Sequence, residues 1–177
     1  MKLLLDQEKF DFVIQRLAQQ LLENHPDFVN CVLIGIQPRG IFLANRIVAQ
    51  IKYDFKIVVP YGKLDITFHR DDIHSQNNML IPNQTDIDFS IDGKQVILID
   101  DVLYTGRTIR SALDALVDFG RPDKVELMAL IDRRYSREFP IQADYIGLRV
   151  DSIFSQKVKV FWKENDKKDE VVLIDNH

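Results

Sequence analysis

The tract Val96-Ile97-Leu98-Ile99-Asp100-Asp101-Val102-Leu103-Tyr104-Thr105-Gly106-Arg107-Thr108 carries the densest chemistry in the chain. Its four leading apolar residues, mostly β-branched, predict a parallel strand buried on both faces. Asp100 and Asp101 follow at the carboxyl end of that strand, where open α/β sheets place their ligands. Ionised carboxylates only accept hydrogen bonds, so a diol can donate to both. Thr105 to Thr108 then form a hydroxyl- and glycine-containing turn that opens a helix, with Ile109, Ala112, Leu113 and Leu116 at helical spacing. Backbone N–H groups in such a turn, backed by the helix N-terminus, cradle an anion. An acidic pair beside an anion cradle suits a sugar with hydroxyls on one side and a phosphate on the other.

Two other classes place acids after an apolar strand. Nucleoside triphosphatases need a G-x-x-x-x-G-K-[ST] loop; Gly35 and Gly40 have the spacing, but Ile41 and Phe42 follow. Phospho-acceptor receiver domains carry their acids near the start of the domain, whereas here they begin at residue 100. An Asp-Asp pair that merely caps a helix would not require Thr-Gly-Arg-Thr after it.

The surrounding elements must hold this tract in place. Asp6 is a candidate N-cap for a first helix that buries Phe10, Val13, Ile14, Leu17 and Leu21 and ends at Asn24-His25-Pro26. Val32 to Ile36 reads as a strand, Gln37-Pro38-Arg39-Gly40 as a turn, and Ile41 to Ile51 as a second helix. Phe55 to Tyr61 and Lys63 to His69 read as strands around Gly62. Arg70 to Gly93 is polar and acidic, the composition of a lid or binding loop. Further strands are expected at Lys124 to Ile131, at Asp144 to Ile146 (short) and at Val158 to Trp162 in the core. Lys163 to Glu170 is expected as a surface turn before a final apolar run, Val171 to Ile174. Strands alternating with helices imply an α/β fold, with a parallel twisted sheet, right-handed crossovers and helices on both faces.

The 177 residues suit a single domain, 1–177, with a sizeable core. A net charge of −4 argues against nucleic-acid binding driven by bulk charge, though not against a local basic patch. Leu3 to Leu5 is too short for a signal-peptide core, and no apolar run is long enough to cross a bilayer, so a cytoplasmic protein is expected. The single cysteine, Cys31, begins an apolar run and is expected in the core rather than as a nucleophile.

The strand, acidic pair and Thr-Gly turn resemble the signature of the type I phosphoribosyltransferases, which bind 5-phosphoribosyl 1-pyrophosphate (PRPP). Three segments narrow the resemblance. Asp101 to Thr108 carries Tyr104 and Arg107, where purine and orotate enzymes generally have other residues. Asp114 to Pro122 and Ala143-Asp144-Tyr145-Ile146-Gly147 are also similar to one family, PyrR. Its members are bifunctional pyrimidine operon regulators and uracil phosphoribosyltransferases. The resemblance runs from about Leu4 to Lys159 and is densest between Val96 and Gly147.

This resemblance implies a type I phosphoribosyltransferase fold with a flexible loop and a small hood. It implies that Asp100 and Asp101 handle the ribose hydroxyls and, through water, a magnesium ion. Together with Val102, Leu103 and Tyr104, the residues Thr105, Gly106, Arg107 and Thr108 form the PRPP-binding tract, whose last four surround the 5′-phosphate. Pro38, Arg39 and Gly40 fall at the pyrophosphate loop, with Pro38 where the family usually has threonine. His69-Arg70-Asp71-Asp72 resembles the flexible catalytic loop, bringing Arg70 to the departing pyrophosphate. Asp132-Arg133-Arg134-Tyr135-Ser136-Arg137 falls at the base pocket. The family pattern there is one residue shorter, with Gly and His after the first arginine, so either Arg133 or Arg137 is the candidate base contact.

The same resemblance implies PRPP, uracil and UMP as ligands, and regulation of pyrimidine genes through UMP-dependent binding of leader mRNA. Arg16, His25 and Arg149 are the candidate RNA contacts. Leu148 to Phe154 is less basic than is usual in the family, and Ile153 with Phe154 suits a subunit interface in a homodimer or higher homo-oligomer. The alternative is a phosphoribosyltransferase that has lost RNA regulation or uses another nucleobase.

Overall fold

The computed structural model describes residues 1–70, 84–153 and 155–175. The strand expected from Val96-Ile97-Leu98-Ile99 is β4 (Gln95–Leu103), the middle of a five-stranded parallel sheet. Its neighbours are β2 (Cys31–Ile36) and β5 (Lys124–Arg134), with β3 (Tyr61–Leu64) and β6 (Tyr145–Asp151) at the two edges. Alternation along β4 sends Ile97 and Ile99 to one face and Val96 and Leu98 to the other, and all four are buried. That two-sided burial is why the tract reads as a continuous apolar run.

Two helices cover the first face. Helix α1 (Gln7–Asn24) contributes Phe10, Leu17 and Leu21, and α2 (Gly40–Phe55) contributes Leu43, Ala44 and Ile47. Asp6 caps α1 as expected, accepting from the Lys9 backbone N–H at 2.9 Å. On the second face α3 (Arg107–Leu116) buries Ile109, Ala112, Ala115 and Leu116. Cys31 lies in the core, where burial and the Glu126 charge push its thiol up to about 12, so it is no nucleophile at neutral pH.

A second sheet is antiparallel, in the order β1 (Lys2–Leu5), β8 (Glu170–Asp175), β7 (Gln156–Phe161). It corrects one sequence expectation: Val158 to Trp162 is a core strand, but not of the parallel sheet. In β7, Val158 and Val160 are buried while Lys157 and Lys159 are exposed, the alternation of a sheet wet on one side. The charged segment before β8 contains a short helix, α4 (Lys163–Asp166), in addition to a turn.

Other boundaries move as well. Phe55 to Tyr61 is not a strand, because α2 runs through Phe55 and ends at Lys56, whose φ is 60°. Gly62 lies inside β3 rather than between two strands. The strand expected over Lys63 to His69 stops at Leu64, because Asp65 turns the chain. Its carboxylate accepts from the Thr67 backbone N–H at 3.0 Å and from the Thr67 hydroxyl at 2.7 Å, starting a 3-10 turn over Thr67–His69. Strand β6 is longer than expected, since Arg149 and Asp151 on an exposed edge interrupt the apolar signal but not the ladder with β5.

Candidate active site

The carboxyl ends of β2, β4 and β5 lie side by side. The register pairs Gly35 with Ile99 and Leu103 with Asp132, so the turns that follow these strands converge on one edge. Asp100 and Asp101 sit there, both buried. Burial, and then the adjacent Asp101 charge, push the Asp100 carboxyl up to about 8, while the Asp101 N–H and Arg39 oppose the rise. The Asp101 backbone N–H donates to Asp100 Oδ1 at 2.9 Å.

Gly40, the first residue of α2, is pressed against β4. A Cβ there would collide with the Ile99 carbonyl oxygen and meet Asp100 Cα at 3.0 Å, so only glycine lets α2 begin beside the acidic pair. Arg39 precedes it and spans the site. Its Nε donates to Asp101 Oδ2 at 2.7 Å, and its Nη2 donates to the Val160 carbonyl of β7. The Gln37–Pro38 peptide bond is cis.

After β4 the chain turns through Thr105 and Gly106 into α3. Gly106 adopts φ 91°, and an added Cβ would lie 3.3 Å from both Phe139 and Ile141 side chains. The turn is pinned from outside by the Thr105 carbonyl, which accepts the Glu138 and Phe139 N–H groups at 2.9 and 3.1 Å. Arg107 forms an ion pair with Glu138 at 2.5 Å. The arrangement is an ordered loop whose helix N-terminus faces the sheet edge, ready for an anion.

The two candidate base-contacting arginines are both engaged by protein groups. Arg137 donates from Nε to the Ile141 carbonyl at 2.9 Å, from Nη1 to the Tyr104 and Arg133 carbonyls, and from Nη2 to Asp132. It ties the loop after β5 to the loop after β4. Arg133 is buried. Its Nε donates to Ser152 Oγ at 2.9 Å and its Nη2 to the Gln156 carbonyl at 2.7 Å, and its guanidinium lies 3.8 Å from the centre of the Tyr104 ring. Burial lowers this guanidinium below its ordinary range, and Tyr104 opposes the shift. Sequence reasoning missed these anchoring roles, which join residues far apart in the chain.

Arg70 is exposed just after the 3-10 turn. Asp71, Asp72 and the rest of the expected catalytic loop to residue 83 lie outside the described residues. Arg16 and Arg149 are brought together, with Arg134, around a hollow of about 490 Å³. His25 is not with them. It is buried at the far end of α1, with Nε2 2.9 Å from Glu126 Oε2 and 3.2 Å from the Tyr145 hydroxyl. That position corrects its expected place on an accessible RNA surface, because Glu126 and Tyr145 take up the ring nitrogen. Arg16 also braces the protein, donating to the Ile146 carbonyl at 3.3 Å and to that of Gly147. Ile153 is exposed, and Phe154 lies outside the described residues.

The parallel sheet thus carries an acidic pair and a glycine turn opening a helix at its carboxyl edge, in a chain that matches the phosphoribosyltransferases. The family model described as phosphoribosyl transferase domain matches residues 2–165. The chain is 44% identical over 173 residues to the bifunctional protein PyrR of Elusimicrobium minutum, covering 98% of this chain and 96% of that one. It is 46% identical over 170 residues to the protein of the same name from Alkaliphilus metalliredigens, covering 96% and 93%. The chain belongs to the PyrR family. Its fold is shared with the hypoxanthine phosphoribosyltransferase of Trypanosoma cruzi, at TM-score 0.74 and 18% identity over 99% of this chain and 97% of that one. A hypoxanthine phosphoribosyltransferase of Staphylococcus aureus aligns at TM-score 0.71 and 20% identity, over 96% and 90%. Among the described residues, no helix is long and apolar enough to cross a membrane.

Proposed function

We propose that the protein transfers the phosphoribosyl group of PRPP to uracil, giving UMP and diphosphate, and regulates pyrimidine genes by UMP-dependent binding of leader mRNA. The observation that carries the reading is the buried Asp100–Asp101 pair beside the Gly106 turn, in a chain of the PyrR family. The acidic pair receives the ribose hydroxyls. The turn from Thr105 to Thr108 receives the 5′-phosphate on backbone N–H groups and threonine hydroxyls. Pro38, Arg39 and Gly40 lie beside the pyrophosphate, and Arg39 contacts it as a charged hydrogen-bond donor.

As the bond from sugar to pyrophosphate breaks, positive charge grows on the ribose and negative charge on the leaving group. Arg39 and Arg70 stabilise that negative charge. The pair fits a divalent cation, since mutual repulsion in a buried site raises Asp100 and a cation relieves it. Asp100 and Asp101 would hold a magnesium ion bound with PRPP, and that ion would neutralise charge on the diphosphate.

For the regulatory activity, Arg16, Arg134 and Arg149 around their hollow supply a local basic surface on a chain of net charge −4. A homodimer or larger homo-oligomer is part of this reading.

The test is a nucleobase panel with PRPP and magnesium, together with a gel shift using the leader RNA of the organism's own pyrimidine operon. UMP formation from uracil above all other bases, and an RNA shift that strengthens with UMP, are the expected results. Turnover of a purine in preference to uracil would overturn the enzymatic reading. An RNA shift indifferent to UMP would overturn the regulatory one.

A further inference from the structure

Helix α2 carries a second arginine, Arg46, seven residues beyond Arg39 and so on the same side of the helix. Its guanidinium lies 5.4 Å from the centre of the Phe10 ring and 5.1 Å from that of Trp162. Nη2 donates to Asp169 Oδ1 at 2.7 Å and to Glu164 Oε2 at 2.9 Å. Asp169 is buried, and the same Oδ1 accepts the Lys163 N–H at 2.8 Å. Asp166 in turn accepts the Trp162 N–H at 2.9 Å. The segment from Trp162 to Asp169 is thereby folded on itself and tied to α2 by the Arg46 fork.

That segment begins where β7 ends. Val160 lies two residues before Trp162, and its carbonyl accepts Arg39 Nη2. One side of α2 therefore grips the end of β7 twice, at Val160 through Arg39 and at 162–169 through Arg46. The Arg39 side chain is 39% exposed, and among the described residues its anchors are Asp101 and Val160. A long side chain left loose in solvent loses rotamer freedom when a ligand fixes it, and bracing it beforehand removes that cost. Apolar side chains often stabilise a fold as well as a buried ion pair does. What the planar Arg46 fork adds is direction.

We infer that Arg46 is a positioning residue for PRPP: by holding the 162–169 segment it fixes the Val160 carbonyl, which braces Arg39 for the pyrophosphate. When Asp101 yields Nε to the pyrophosphate, Val160 still holds Nη2, so the guanidinium pivots instead of swinging free. The inference rests on the placement of Arg39 beside the leaving group in the proposed function, and the experiment separates the two.

Dissociation constants for PRPP and for UMP, both with magnesium, are measured by titration calorimetry. The proteins are wild type, Arg46→Met, Arg46→Lys, Asp169→Asn, Arg39→Ala and the Arg46→Met/Arg39→Ala double variant, with thermal unfolding followed in parallel. Arg46→Met, which keeps an unbranched chain between the two rings, is expected to weaken PRPP about three- to tenfold. UMP, which lacks the pyrophosphate, should change by less than about twofold on the same scale. Arg46→Lys, with the charge but not the fork, should fall between wild type and Arg46→Met. In the Arg39→Ala background Arg46→Met should weaken PRPP no further, because Arg46 acts through Arg39.

A merely structural Arg46 would lower the unfolding temperature and leave PRPP binding unchanged, or weaken PRPP equally with and without Arg39. Either result overturns the inference. If Arg46→Met does not fold, Asp169→Asn decides: a selective loss of PRPP supports the brace, and an unchanged or unselective one overturns it. If Arg39→Ala itself leaves PRPP binding unchanged, the placement of the leaving group fails and the inference falls with it. Loss in Arg39→Ala beside unaltered binding in Arg46→Met defeats the inference alone.

Discussion

Arg39 forms an ion pair with Asp101, Nε to Oδ2 at 2.7 Å, and the same guanidinium donates to the Val160 carbonyl of β7. One side chain from the turn after β2 thus joins an acid near the carboxyl end of the central strand to the antiparallel sheet. When PRPP enters, its pyrophosphate and Asp101 compete for this cation.

Replacing Arg39 with alanine is expected to raise the PRPP KM. A charged hydrogen bond to phosphate contributes roughly 1.5–3 kcal/mol, or about one to two orders of magnitude in affinity. UMP lacks the pyrophosphate, so its dissociation constant should change far less. Steady-state kinetics for PRPP and titration calorimetry with UMP check this pair of outcomes, and an equal loss for both ligands would remove Arg39 from the leaving-group site.

Asp100 links catalysis to the pH dependence of stability. Its native pKa, about 8, lies above the ordinary 3.8, so between those values the folded state holds more protons than the unfolded chain. Its contribution to stability is therefore greatest below about pH 4 and is lost as the pH rises toward 8. Asp100→Asn removes this titration, so the variant should gain stability relative to wild type as pH rises through that window. Its turnover should fall most at and above about pH 8, where wild-type Asp100 is ionised, because the ionised acceptor for sugar and metal is then lost. Urea denaturation at pH 5 and pH 8, with activity measured alongside, tests both parts.

The catalytic tract was legible because its chemistry is local. Strand, acids, turn and helix follow one another from Val96 to Leu116, and each has a compositional signal. The glycine at position 40 was legible as the last residue of the turn before the second helix, but its contact with Ile99 was not. The ion pair between Arg39 and Asp101 joins residues 62 apart, and the stack of Arg133 on Tyr104 depends on the register of β4 against β5. No spacing rule reaches such contacts. His25 shows the opposite failure. The family resemblance makes His25 a candidate RNA contact, yet Glu126 and Tyr145, more than a hundred positions away, draw it inside.

That buried cluster predicts an acid-sensitive element remote from the active site. Burial alone would raise the Glu126 carboxyl, but hydrogen bonds from Lys124, Tyr145 and His25 outweigh it and hold the pKa down at about 2. Because the folded value lies below the ordinary 4.5, the stabilisation is present above about pH 4.5 and is lost as pH falls toward 2. Glu126→Gln should cost about 1–3 kcal/mol at pH 7, the range for leaving a buried polar group poorly satisfied. The gap from wild type should narrow on acidification, as chemical denaturation at pH 7 and pH 3.5 would show. A pH-independent gap would mean that shape, not charge, is what the cluster needs.

Gly106 supplies the contrast to Arg39. Its φ of 91° is strained for any side chain, and an alanine Cβ would press on Phe139 and Ile141 at 3.3 Å. Strain of this kind costs about 1–3 kcal/mol. Relieving it would shift the turn whose N–H groups are proposed to hold the 5′-phosphate. PRPP and UMP both carry that phosphate, so Gly106→Ala should weaken the two by similar factors, where Arg39→Ala weakens PRPP alone. Calorimetric titration of both variants with both ligands gives four numbers and tests the two assignments together. If Gly106→Ala spared UMP while weakening PRPP, the turn would belong to the leaving group, and the orientation of the sugar phosphate across the sheet edge would have to be reversed.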